Sequence, residues 1–261
     1  MKKIIKYLFL LTGGSFILAS CNDFLDREPL DSVTPDNFFF TENDLAAYAV
    51  KHYNFTTHEG FNAGIWRNDN ATDNQAATDY DKKWIPGQWK VPEAYDNPAS
   101  NDPWYFSAIR EANYFLETVV PRFEKGEIEG SETNIKHYIG EMYFLRAKNY
   151  LSKLETFGDF PIIKNTLPDE SASLIQASKQ EPRHKVARFI LEDLDLAIGL
   201  LTNTISGGKN RITQNAALLL KSRAALYEAS WLTYHKGTAL VPGGPGWPGK
   251  GPACGCPGPS G

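Results

Sequence analysis

The chain has no cysteine between Cys21 and Cys254. No disulfide can staple its body, so packing must hold the fold. It also lacks a run of about 20 apolar residues, the length a membrane-spanning helix needs. The apolar stretch from Tyr7 to Leu18 covers only 12 residues and is softened by Thr12, Gly13, Gly14 and Ser15. Positive charge is in short supply: the net charge is −4 at pH 7. Without residues 1–20, which hold three lysines and no acid, it falls to −7. Nucleic-acid binding wants a basic face, so nucleic acid is excluded as a partner. Catalytic signatures are missing as well. The five histidines (His52, His58, His137, His184, His235) show no H-E-x-x-H spacing, and there is no G-x-S-x-G and no phosphate-cradling glycine loop. Asp69-Asn70-Ala71-Thr72-Asp73 hints at a calcium loop. Ala71 at its third position, Asn74 at its sixth and Tyr80 at its twelfth break the ligand pattern. No catalytic residue, metal or cofactor is expected.

What is present starts with Lys2, Lys3 and Lys6, a positive n-region ahead of the apolar stretch. Together they make a secretory signal peptide. Leu18-Ala19-Ser20-Cys21 closes it. This tetrad resembles the lipobox of bacterial lipoproteins. The resemblance implies cleavage after residue 20, a diacylglyceryl group on the Cys21 thiol and an anchor in the outer membrane. Two or more acyl chains hold a protein stably, where one holds it marginally. Residues 21–36 are polar and acidic with Pro29 and Pro35, and read as an extended tether. Acidic residues behind such a cysteine resemble the surface-export signal of Bacteroidetes lipoproteins, which implies a chain facing the cell exterior.

Apolar residues at helical spacing predict the scaffold, residues 37–241. Asn37 to Tyr53 holds a first helix, with Thr41 as N-cap and Leu45, Tyr48 and Ala49 on one face. Trp104 to Val120 carries Ile109, Ala112, Leu116 and Val119, and is expected to stop at Pro121. Ser131 to Phe157 starts at a Ser131 N-cap, carries Ile135, Ile139, Met142, Leu145, Tyr150 and Leu154, and stops at Gly158. Glu181 to Leu201 carries Val186, Phe189, Ile190, Leu194 and Ile198, while Glu192, Asp193 and Asp195 read as its solvated face. Thr213 to Tyr234 is apolar in nearly all directions, as a core helix would be. Gly140, Tyr143, Arg146, Ala147 and Tyr150 line up with Ala217, Leu220, Arg223, Ala224 and Tyr227 at an offset of 77 residues. Gly140-x3-Phe144-x2-Ala147 matches the small-large-small seam of a tetratricopeptide helix. The fold class is therefore all-α, a tetratricopeptide-like scaffold, with a plain amphipathic bundle as the alternative.

A long irregular segment, His58 to Asp102, interrupts the helices. It is rich in Asn, Asp, Gly and Pro, and short strands are compatible with it. Its aromatic residues argue against disorder. Trp66, Tyr80, Trp84 and Trp89 lie among Asn68, Asp69, Asp73, Asn74 and Gln75. Sugar rings present flat C–H faces to such aromatics, and the amides and carboxylates take hydroxyls. The candidate ligand-binding residues are Trp66, Asp73, Asn74, Tyr80, Trp84 and Trp89. The alternative is that these rings pin the segment to the helices. In the tail, residues 242–261, fourteen of 20 residues are Gly or Pro, so it is expected to be disordered or draped. Cys254-Gly255-Cys256 is too sparse for a metal site.

Several fragments now fall in order: Cys21-Asn22-Asp23-Phe24-Leu25-Asp26, Ile109-Arg110-Glu111-Ala112-Asn113, Leu145-Arg146-Ala147-x2-Tyr150, Phe157-Gly158-Asp159-Phe160-Pro161-Ile162, Arg211-Ile212-Thr213 and Ser222-Arg223-Ala224-Ala225-Leu226-Tyr227. Together they resemble the SusD-like (RagB) family of nutrient-binding outer-membrane lipoproteins. The resemblance implies a non-enzymatic protein that takes glycans or peptides and passes them to a SusC-like TonB-dependent transporter. It also implies a chain about twice this long, so a truncated or frame-shifted product is expected, with helix Thr213 to Tyr234 exposing an apolar face. A tetratricopeptide-type adaptor and a glycan hydrolase are the competing function classes.

Overall fold

A computed structural model describes residues 38–53, 55, 104–204 and 210–247, and the backbone of 71–72 and 75–76. The chain divides into Met1–Phe38 and Phe39–Gly261, and every element below belongs to the second unit. Helix α1 is Glu42–Lys51. Thr41 starts it through a capping box: its hydroxyl accepts from the Asp44 amide at 3.3 Å, and the Asp44 carboxylate accepts from the Thr41 amide at 3.0 Å. Leu45, Tyr48 and Ala49 form its buried stripe. Phe39, just before it, has φ 71, which a bulky residue rarely adopts. Its fully buried ring sits edge-on to Tyr48 and Phe115 at 5.1 and 5.3 Å, and this packing offsets the backbone strain.

Strands β1 (Ala71–Thr72) and β2 (Gln75–Ala76) pair antiparallel within the irregular segment. Helix α2 is Ser107–Lys125. It runs through Pro121 instead of stopping there. A proline's fixed φ is helical, and only one turn follows it. Arg122 anchors that turn by lying over the Phe40 ring at 4.3 Å, and Gly126 at φ 72 ends it. Helix α3, Glu132–Phe157, is the 26-residue centre of the fold and ends at Gly158. Ser131 occupies its N-cap, but its hydroxyl makes no cap bond. The Glu42 carboxylate reaches this end from α1 and accepts from a different donor, the Ser131 amide, at 2.7 Å, with its charge beside the positive end of the helix.

Helix α4, Ser171–Ala177, lies in the connection where no helix was expected, and buries none of its residues. Helices α5 (Arg183–Leu200) and α6 (Gln214–Tyr234) complete the set. Thr213 caps α6, its hydroxyl accepting from the Ala216 amide at 3.3 Å. Packing follows chain order: α2 on α3, α3 on α5, α5 on α6, with α1 against α3 as well. Helix pairs that touch mainly their neighbours are the mark of a repeat array. A Cβ on Gly140 would come within 3.0 Å of Leu200 and Leu201, so this glycine sets the closeness of α3 to α5. The core is Ile109, Phe115, Met142, Tyr150, Leu154, Ile190 and Leu194, each almost inaccessible.

Candidate ligand-binding surface

Cys21, Trp66, Asp73, Asn74, Tyr80, Trp84 and Trp89 all lie outside the described residues. The structure neither gathers nor scatters them. The described helices are held by three sets of buried charges. Arg146 on α3 forks onto Asp193 of α5 through two bonds of 2.7 Å and donates to Asn113 of α2 at 2.9 Å. Asn113 in turn donates to the Ile163 carbonyl at 2.8 Å. Tyr150 accepts from the Ile163 amide at 2.8 Å, which pins the connection after Gly158 beneath α2 and α3. Burial pushes the Tyr150 hydroxyl up to about 12. It pushes the Asp193 carboxyl upward too, against the pull of Arg146. The expected solvated face of α5 is thus corrected at Asp193, which is 2 % exposed, while its neighbour Asp195 does lie in solvent. Two acids in i, i+2 positions point to different sides of a helix, and only one meets the arginine.

The second set joins Glu141 of α3 to Arg211, whose Nε donates at 2.9 Å, and to the Tyr53 hydroxyl at 2.7 Å. Burial and the Glu141 charge raise the Tyr53 hydroxyl far above its ordinary range. The third is Arg183 on Glu228, with bonds of 3.0 and 2.8 Å. The Arg183 guanidinium also lies 3.9 Å from the centre of the Trp231 ring, and its amide donates to Asp159 at 2.8 Å. Glu228 Oε1 is buried and makes no hydrogen bond.

This third set borders a groove of about 450 Å³ at the C-terminal ends of α3 and α6. Trp104 and Phe157, with ring centres 4.0 Å apart, line it together with Tyr227 and Trp231. Trp247, 5.9 Å from the His184 ring, drapes the start of the tail along it. Glu155, Asp159 and Gln180 supply polar edges. Flat rings beside hydroxyl-binding groups can take a sugar or another flat polar ligand. Sequence reasoning missed this grouping. Tyr227-x3-Trp231 was its one visible signal, a spacing that puts both rings on one face of a helix. A smaller pocket of about 250 Å³, lined by Phe106, Ile109, Pro161, Ile163 and Leu174, lies under α4.

Among the described residues no group of three or more His, Cys, Asp or Glu is placed to hold a metal. No described helix is long and apolar enough to cross a membrane. Residues 23–226 match the SusD-like family described as starch-binding and associating with the outer membrane. The chain belongs to the SusD-like family. Among curated relatives, SusD-like protein P2 of Formosa agariphila is 27 % identical over 219 residues, covering 82 % of this chain and 40 % of that protein. SusD-like protein P25 of the same organism is 22 % identical over 243 residues, covering 88 % and 44 %. The chain therefore spans about two fifths of the length of the curated SusD-like relatives it matches. A SusD-like protein of Bacteroides fragilis shares the fold with a TM-score of 0.56 at 24 % identity, over 78 % of this chain and 38 % of that one. A SusD-like carbohydrate-binding protein of the same species scores 0.55 at 17 % identity, over 76 % and 40 %.

Proposed function

We propose that this SusD-like chain is a cell-surface lipoprotein. It is anchored through Cys21, binds glycans without altering them, and delivers them to a SusC-like TonB-dependent transporter in the outer membrane. The observation that carries this reading is the family match across residues 23–226. The aromatic residues Trp66, Tyr80, Trp84 and Trp89, with the Asp73 carboxylate and the Asn74 amide, supply the chemistry that a sugar ring asks for, a flat apolar face with polar groups at its rim.

Affinity electrophoresis of the full chain in gels containing soluble starch, laminarin or mannan tests the reading. At least one glycan is expected to retard it. Trp84→Ala or Trp66→Ala is expected to weaken that binding about tenfold, the scale of one lost ring contact. Cys21→Ala is expected to leave binding intact and to move the protein out of the membrane fraction. A cooperatively folded chain that no glycan retards would overturn the reading. Full binding by both tryptophan variants, with loss in Trp231→Ala, would move the site to the groove at the ends of α3 and α6. The adaptor reading also has an observation in its favour: Leu218, Leu219 and Leu226 of α6 are exposed.

A further inference from the structure

The smaller pocket, about 250 Å³, is built from the start of α2, the segment after Gly158 and α4. Phe106, Ile109, Arg110 and Asn113 fall at spacings of three and four residues, so the helix turns all four to one side. Ile163 and Leu174 add apolar surface from the other two elements. The polar atoms beneath already have partners. Asn113 donates to the carbonyls of Ile163 and Asn165 at 2.8 and 3.3 Å and accepts from Arg146 at 2.9 Å. The Ile163 amide donates to the Tyr150 hydroxyl at 2.8 Å. A space lined this way offers water few bonds and favours an apolar occupant. A dry apolar cavity of about 150 Å³ holds benzene, so this one has room for a ring with a short arm.

Arg110 is the charged residue of the described lining, and it is exposed, at the solvent edge of the pocket. Among the described residues no acid pairs with its guanidinium. Its neighbour Glu111 meets His52 at 3.2 Å, and Glu117, two turns on, accepts from the Thr166 amide at 2.8 Å. A guanidinium beside an apolar pocket is a fork ready for a carboxylate. Helix α4 points the same way. It buries none of its residues and packs on no other described helix, although its Leu174 lines the pocket. An occupant gives it the apolar contact it lacks.

We propose that this pocket binds a small organic monocarboxylate with an aromatic or branched apolar body. The body lies against Ile109, Ile163 and Leu174, and the carboxylate pairs with Arg110. A sugar suits the pocket poorly, because its hydroxyls would meet mostly apolar side chains. The inference therefore stands whether or not the chain binds a glycan elsewhere.

Isothermal titration of the full chain with hydrocinnamate, a phenyl ring on a short acid arm, tests it. Saturable binding is expected, and acetate, which lacks the ring, is expected not to bind. Arg110→Gln, a change at an exposed position, is expected to weaken binding about tenfold, the scale of a hydrogen bond to a charged group. The neutral amide of the same acid is expected to bind the parent chain about tenfold more weakly, and to bind both chains equally, as a direct pair requires. Leu174→Asp, at a residue 39 % exposed, is expected to leave circular dichroism unchanged and to abolish binding. Hydrogen exchange at the Leu174 and Ser178 amides of the α4 turn is expected to slow on saturation. Absence of binding by the folded chain, or binding that ignores both variants, overturns the proposal. So does binding lost in Trp231→Ala but kept in Arg110→Gln, because the acid then sits in the groove at the ends of α3 and α6.

Discussion

Arg146 is the residue on which most of the scaffold converges, since α2, α5 and the segment after Gly158 all meet its guanidinium or its partners. Both Arg146 and Asp193 are nearly inaccessible. Removing one member of such a pair leaves a charge in a medium that solvates it poorly, at a cost of about 3–5 kcal/mol. Arg146→Ala is expected to lose that much in urea unfolding. The double variant Arg146→Met with Asp193→Leu is expected to recover most of it, because no charge is then stranded. A loss below about 1 kcal/mol for Arg146→Ala would show the pair to be peripheral. This pair was not legible in the sequence. Arg146 and Asp193 are 47 residues apart on different helices, and Asp193 reads as part of a solvated face. Asn113 likewise reads as a polar position and turns out fully buried, because its amide serves a carbonyl of a distant segment.

At the level of helices, the sequence is far more explicit. The stripes of α1, α2, α3 and α5 are buried where their 3.6-residue spacing puts them. Burial of a stripe is a local consequence of composition, so it can be read one segment at a time. What the pattern could not reveal depends on contacts from elsewhere. The turn past Pro121 persists because Phe40 receives Arg122. The Ser131 hydroxyl makes no cap bond, and its amide is met by Glu42, 89 residues away. Helix α4 has no buried face and so left no periodic signal. The small-large-small seam, by contrast, was both legible and functional in packing. Gly140→Val is expected to force α3 and α5 apart, since even one methyl would stand 3.0 Å from two leucines. Overpacking of this kind costs about 1–3 kcal/mol, read as a lower melting temperature. A variant as stable as the parent would show that the seam yields.

For the whole molecule, acid is the expected weakness. His52 has its titration held low by burial, with Glu111 opposing, and Nε2 has no partner. His184 is held low by burial and by the charges of Lys185 and Arg188, and its Nδ1 is likewise unpartnered. The unfolded chain takes up protons at both near pH 6.5, while the folded chain resists them. Stability is therefore intact above about pH 6.5 and falls as pH drops below it. Melting temperatures between pH 7.5 and 5 should decline, and His184→Gln should flatten the slope. An unchanged melting temperature across that range would contradict the assignment. The candidate ligand residues lie outside the described residues. Their role was read from residue type alone, and residue type does not fix position in an irregular segment.

The join between Phe40 and Glu129 has a mechanical side. The Glu42 amide donates to the Glu129 carbonyl at 2.8 Å, and the Glu129 amide to the Phe40 carbonyl at 2.8 Å. The Glu42 side chain adds its bond to the Ser131 amide across the same junction. If Cys21 tethers the chain to a membrane, tension that reaches Phe40 enters the second unit here. It meets a clamp to the turn between α2 and α3 before it reaches α1. Such a pull would thus strain a junction between segments 89 residues apart in the chain, and would leave the first helix unpeeled until that clamp gives way.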